Sequence, residues 1–146
     1  MSYVQKRGLA QYGQMATTAE ASVASPHRLV QMLMEGALEK IAIAKGHMMR
    51  RDFSEKSRYV SWAIAIINGL RSSLDLEAGG ELAANLDNLY EYMGRRLFDA
   101  NRHNNVAILD EVTSLMVEIK GAWDALPERV KAPNTAATKE FRPASA

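Results

Sequence analysis

The chain has no cysteine, which removes disulfides, thiolate nucleophiles and cysteine-ligated zinc together and agrees with a reducing compartment. It also lacks a dominant charge: 18 Lys and Arg stand against 17 Asp and Glu, a formal net charge of +1. A field that weak does not gather phosphates, so nucleic-acid binding is not expected. Long apolar runs are missing as well. The opening MSYVQKRGLAQYGQMATT has no continuous hydrophobic stretch of signal-peptide length, and no segment is apolar enough to span a bilayer, so no membrane insertion is expected.

Catalytic signatures are absent too. The sequence holds no GxSxG elbow, no GxxxxGK[ST] loop and no HExxH helix, and Gly79-Gly80 is too little to form a phosphate loop. Di-iron bundle enzymes need Glu-x-x-His pairs, but the residues three before His27, His47 and His103 are Ala24, Ala44 and Ala100. Neither an enzyme nor a cofactor protein is expected, and each histidine reads as a solvated surface residue. The doublets Arg50-Arg51 and Arg95-Arg96 fall at helix C-terminal ends, where the macrodipole favours cations without any partner.

What remains is helical pattern. The 146 residues, 47% hydrophobic and 24% charged, suit one globular domain. Residues 1–24 show no sustained period and read as a mobile arm. Ser25-Pro26 opens a first helix, because serine accepts first-turn amides and proline at the first position lacks only an orphan N–H. Its stripe is Leu29, Leu33, Ala37, Ile41, Ala44 and Met48, ending near residue 50. Asp52 to Glu55 has capping-box spacing for a second helix, striped by Tyr59, Ala63, Ile66, Leu70 and Leu74. Asp75 to Gly80 reads as a loop, since adjacent glycines disfavour helix. A third helix carries Leu82, Leu86, Leu89, Tyr90, Met93 and Leu97; Asn104-Asn105 caps a fourth with Ile108, Val112, Leu115, Ile119 and Trp123, stopped by Pro127. The fold class is all-α: an antiparallel up-down four-helix bundle over 25–129, with the arm before it and a disordered, polar tail over 130–146.

The apolar surface exceeds a bundle's ordinary needs. On a helical wheel, the first helix adds Val30, Met34 and Leu38 on one side of its stripe and Met32 and Ile43 on the other, an arc of roughly 240°. The second adds Val60, Trp62, Ile64 and Ile67 outside its inner stripe; the third adds Tyr92 and Phe98 on opposite flanks. The fourth is the most ordinary, with Leu109, Met116 and Val117 as extras. Such an excess marks a partner surface, and eight methionines supply adaptable contact. Grooves for another protein's helices are the expectation.

The sequence resembles the flagellar secretion chaperone family (FliS). The resemblance is carried by Tyr12, by SPHRLVQMLMEGAL (Ser25 to Leu38), by NGLRSSLDLEAGGELAANLDNLYEYMGRRLFDAN (Asn68 to Asn101), and by LDEVTSLMVEIKGAW (Leu109 to Trp123). It departs from the family pattern at Met34, where an aromatic is common, and in a tail longer than usual beyond Lys131. The resemblance implies a cytosolic (cytoplasmic) bundle that binds the C-terminal segment of flagellin, holds it from aggregation and premature polymerisation, and delivers it to the type III export apparatus. Helix-in-groove recognition with coupled folding is its implied mechanism. The flagellar export gate and, in some species, the anti-sigma factor are further implied partners. Tyr12 is assigned to an arm that packs over apolar surface in the free protein, with Met15 beside it. Together with the wheel, this makes Tyr12, Met15, Val30, Met34, Val60, Ile64, Ile67, Leu74, Leu86, Leu89, Tyr90, Tyr92 and Met93 the candidate partner-binding residues. A homodimeric adaptor bundle, pairing its extra apolar faces with themselves, is the alternative.

Overall fold

In a computed structural model, which describes residues 24–126, the chain forms four helices: α1 (Pro26–Met49), α2 (Phe53–Ser72), α3 (Leu76–His103) and α4 (Val106–Ala125). There is no strand among the described residues. The arm expected over 1–24 and the tail expected over 130–146 lie outside them, apart from Ala24. Connections of two or three residues make consecutive helices antiparallel neighbours, and α4 closes the ring by packing on α1.

Local chemistry accounts for the helix starts. Ser25 Oγ accepts the Arg28 amide at 3.1 Å, Asp52 that of Glu55 at 3.4 Å, Asp75 that of Ala78 at 2.9 Å, and Asn105 that of Ile108 at 3.3 Å. Two expectations are corrected. The reciprocal half of a capping box at Asp52 is not made: the Asp52 amide already donates to the His47 carbonyl at 2.9 Å, and the Glu55 carboxylate holds Arg58 at 2.8 Å. The stretch Asp75 to Gly80 is also not all loop. Asp75 caps a helical turn over Leu76 to Gly79, and the break is confined to Gly80, at φ 59° and ψ −136°, a conformation open to glycine alone at little cost. Leu74, placed in the second helix by its spacing, falls instead in the turn after α2.

The α1–α2 turn contains an unusual residue. Asp52 N–H reaches the His47 carbonyl and Arg51 N–H the Met48 carbonyl, the paired bonds of a Schellman ending. The left-handed position of that motif, ordinarily glycine, is Arg51 at φ 60°. At the α3–α4 turn the equivalent site is Asn104 at φ 53°, a residue that tolerates it. Arg51→Gly is therefore expected to raise stability by about 0.5–1 kcal/mol, read as a higher urea midpoint at unchanged slope.

The core runs the length of the ring: Leu33, Met34, Ala37, Ile41, Ala44 and Met48 of α1; Val60, Ala63, Ile66, Ile67 and Leu70 of α2; Tyr90, Met93, Leu97 and Ala100 of α3; Ile108, Leu109, Val112 and Met116 of α4. Several residues read as outside the inner stripes are thus interior. Met34, Val60, Ile67, Leu109 and Met116 are 0–1% exposed, and Met32 is also buried. Each helix of a closed ring has two neighbours and a diagonal one, so the arc it buries is wider than the single stripe of a helix lying on a surface.

Polar links join the same pairs of helices. Lys45 meets Asp110 at 2.8 Å and Gln31 meets Asp124 at 2.7 Å between α1 and α4. Lys56 of α2 is buried, its Nζ donating to the Asn101 carbonyl at 2.9 Å, where the last turn of α3 leaves acceptors open. His27 is corrected from a solvated residue to a buried one: its ring lies 5.3 Å from that of Trp123, whose Nε1 donates to the His27 carbonyl at 3.1 Å.

Candidate functional site

Helix α1 begins, α2 finishes, α3 begins and α4 finishes at one end of the bundle, and there the packing opens into a cleft of about 290 Å³. Val30 and Met34 of α1, Leu70 of α2, Leu86 and Tyr90 of α3, and Ile119, Ala122 and Trp123 of α4 line it, with Ser73 and Glu118 at its polar margin. The side chains are nearly all apolar, and the histidine–tryptophan contact anchors the α4 wall. Burial pushes the Tyr90 phenol well above its ordinary pKa, so it stays neutral throughout the physiological range. The Ser73 hydroxyl donates to the Leu70 carbonyl at 2.7 Å, and what the cleft offers is hydrophobic area with a few polar margins, suited to taking up apolar side chains.

A second, more polar groove of about 550 Å³ runs along the outer face between α2 and α3. Ile64, Tyr90 and Phe98 form its apolar part, and Asn68, Arg71, Glu91, Arg95 and Asp99 its polar part. Phe98 is 58% exposed. Tyr90 borders both depressions, which makes its ring a shared wall. Beside the groove Arg71 grips Asp87 through two bonds, Nε to Oδ1 at 2.8 Å and Nη2 to Oδ2 at 3.3 Å. On the opposite flank of α3, Glu111 of α4 accepts from the Tyr92 hydroxyl and from Arg96 Nε at 2.9 Å.

These contacts make stability depend on pH. The hydrogen bond from Arg71 holds the Asp87 carboxyl below the usual carboxylate range, and those from Tyr92 and Arg96 do the same for Glu111. A depressed folded pKa contributes stability above the unfolded value, near 4, that is lost as pH falls through the folded one. Asp87→Asn should therefore be less stable than the parent at pH 7, by under about 1 kcal/mol for a partly exposed pair. The difference should vanish below the folded pKa, as urea titrations at successive pH values would show.

The candidate partner-binding residues divide by position. Val30, Met34, Leu86 and Tyr90 line the cleft, and Ile64 lines the groove. Leu74 packs against the core after α2, Leu89 is 37% exposed on α3, and Tyr92 is engaged with Glu111. Val60, Ile67 and Met93 lie in the interior, out of a partner's reach while the bundle is closed. Tyr12 and Met15 lie outside the described residues. The sequence reading overlooked the α4 wall, Ile119, Ala122 and Trp123, because its spacing looked like ordinary core; a tryptophan in the last turn of the last helix was the available signal.

Comparison with known proteins gives this architecture relatives. Residues 8–130 match the family model described as flagellar protein FliS. The chain is 50% identical over 120 residues to the flagellar secretion chaperone FliSB of Pseudomonas aeruginosa, covering 82% of this chain and 95% of that one. To the flagellar secretion chaperone FliS of Vibrio cholerae it is 40% identical over 116 residues, covering 80% and 85%. For that of Salmonella typhimurium the identity is 41% over 117 residues, covering 80% and 87%.

Proposed function

The chain belongs to the FliS family of flagellar secretion chaperones, a chaperone family and not an enzyme family, and from that premise we propose that it binds the C-terminal segment of flagellin in the cytosol. Bound, the segment is kept from aggregating and from polymerising early, and is handed to the flagellar type III export apparatus. The single observation that carries this reading is the cleft. Apolar side chains from all four helices meet there around open space at one end of an otherwise closed core. A partner helix entering it removes apolar surface from water on both sides, the driving force of helix-in-groove recognition. The α2–α3 groove, with Ile64 and Phe98, continues the path past Tyr90 and suits a segment that wraps instead of docking at one point. Tyr12 and Met15, by the same proposal, lie on an arm that competes with flagellin for apolar surface.

No helix among the described residues is long and apolar enough to cross a membrane, in keeping with this role. Delivery requires contact with the export gate, and the anti-sigma factor is a further proposed partner by family resemblance.

The test is calorimetric titration of the full chain with a peptide from the C-terminus of flagellin, alongside circular dichroism of the mixture. Saturable one-to-one binding, a negative heat-capacity change and a gain of helix are expected, because burial and folding of the peptide are coupled. Absence of heat and helix with a folded chain would overturn the proposal. A mass that doubles with concentration would then favour the homodimeric adaptor.

A further inference from the structure

The end of the bundle opposite the cleft, which carries the α1–α2 and α3–α4 turns, has a different chemistry. Among the described residues, every arginine and lysine has a carboxylate within ion-pair distance except Arg50, Arg51, Lys56 and Arg102, and all four lie at this end. Lys56 is used internally, on the Asn101 carbonyl. The three arginines are exposed. Arg50 reaches only the His47 ring, at 3.3 Å, and Arg102 only that of His103, at 3.5 Å. The acidic residues beside them are occupied: Asp52 caps α2 and faces His47 at 3.4 Å, and Glu55 holds Arg58. The other doublet behaves differently, since Arg95 pairs with Glu91 and Arg96 with Asp99 and Glu111. The two doublets look alike in sequence; ion pairing accounts for one and leaves the other uncompensated.

Two further observations fall on the same spot. Met49 and Phe53 flank the turn at 65% and 45% exposure, with the Arg51 guanidinium 5.0 Å from the centre of the Phe53 ring. Arg51 also occupies the left-handed position that glycine would fill without strain. A strained backbone position holding an exposed, uncompensated cation against an exposed aromatic ring points to a role beyond folding.

We propose that this end of the bundle docks an acidic protein segment bearing an aromatic or aliphatic anchor. The segment's carboxylates lie against Arg50, Arg51 and Arg102, and its apolar side chain lies on Met49 and Phe53. Guanidinium groups present paired donors that match carboxylates, and desolvation by the apolar contact strengthens those bonds. An anionic lipid surface is disfavoured, because the apolar element here is two side chains on a tight turn and not the face of a helix. The site is remote from the cleft, so a chain loaded there still presents it. The inference stands whether or not the cleft holds flagellin.

The experiment uses the full chain with ¹³C-methyl methionine, the Met49 signal being assigned through Met49→Leu. The probe is a short synthetic peptide of Glu and Asp around one Phe. Addition should shift the Met49 methyl saturably, and salt should weaken the effect. Arg50→Glu with Arg51→Glu should weaken binding about tenfold or more, whereas Arg28→Glu, the same charge change at the opposite end of the bundle, should leave it unchanged. A peptide with Phe replaced by Ser should bind several-fold more weakly. Three results would overturn the proposal: no shift at Met49 in the unmodified chain, equal loss in Arg28→Glu, or a Met49 response to phosphatidylglycerol vesicles but not to the peptide.

Discussion

Leu86→Asp is expected to weaken binding of the flagellin C-terminal peptide about a hundredfold or more, with the bundle still folded. Leu86 stands on the α3 wall of the cleft, half-buried and in contact with the core, opposite Ile119 and Trp123 of α4. A carboxylate there keeps its water in the free protein, because the cleft is open, but loses that water when an apolar helix fills the space. The penalty for desolvating an unpaired charge is at least several kcal/mol, and a hundredfold change in affinity needs only about 2.7. Ala122→Asp separates this effect from packing: Ala122 is exposed on the α4 wall, so little core contact is lost, and about a tenfold weakening is expected. Calorimetry and a thermal melt of each variant provide the check. Parental affinity in a folded Leu86→Asp chain would remove the cleft from the binding path.

The second large effect is on stability. Ile67→Ala should destabilise the bundle by about 2–5 kcal/mol, because the side chain is 0% exposed between α2 and its neighbours and its loss leaves a cavity the ring cannot fully close. Leu89→Ala, at 37% exposure, should lose less than about 1 kcal/mol, as surface substitutions do. Both residues are candidates for partner binding from their sequence positions, so the pair is diagnostic. Urea unfolding gives the stability change, and titration of the folded variants gives the affinity. Ile67→Ala should bind the peptide nearly as the parent does. The reverse pattern, with a small stability loss and a large affinity loss at Ile67, would mean that the closed ring opens to receive its partner.

Most of the architecture was legible from local signals. Ser25-Pro26, Asp52 and Asn105 mark helix starts, and a cap acts on amides two or three residues away, within the reach of a sequence window; Pro127, read as a stop, lies outside the described residues. Asp75 was missed as a cap because two glycines follow it closely, and only the backbone geometry shows that one of them, Gly80, absorbs the whole break. At the cleft, Val30, Met34, Leu86 and Tyr90 were legible as apolar excess, whereas the α4 wall was not.

By itself the sequence determined four amphipathic helices, the starts of three of them, their antiparallel order and the family, because all of these rest on residues three or four apart or on motifs contiguous in the chain. The tertiary structure alone decided which side of each helix is covered. A wheel places Val60, Ile64 and Ile67 around the axis of α2 but says nothing of where α1 and α3 lie; the ring buries Val60 and Ile67 and leaves Ile64 on a groove. It also decided which partner each cation meets, joining Arg71 to the Asp87 carboxylate and Lys56 to the Asn101 carbonyl across helices while leaving Arg50, Arg51 and Arg102 facing water. Periodicity is a property of one helix, whereas burial and ion pairing depend on where its neighbours stand.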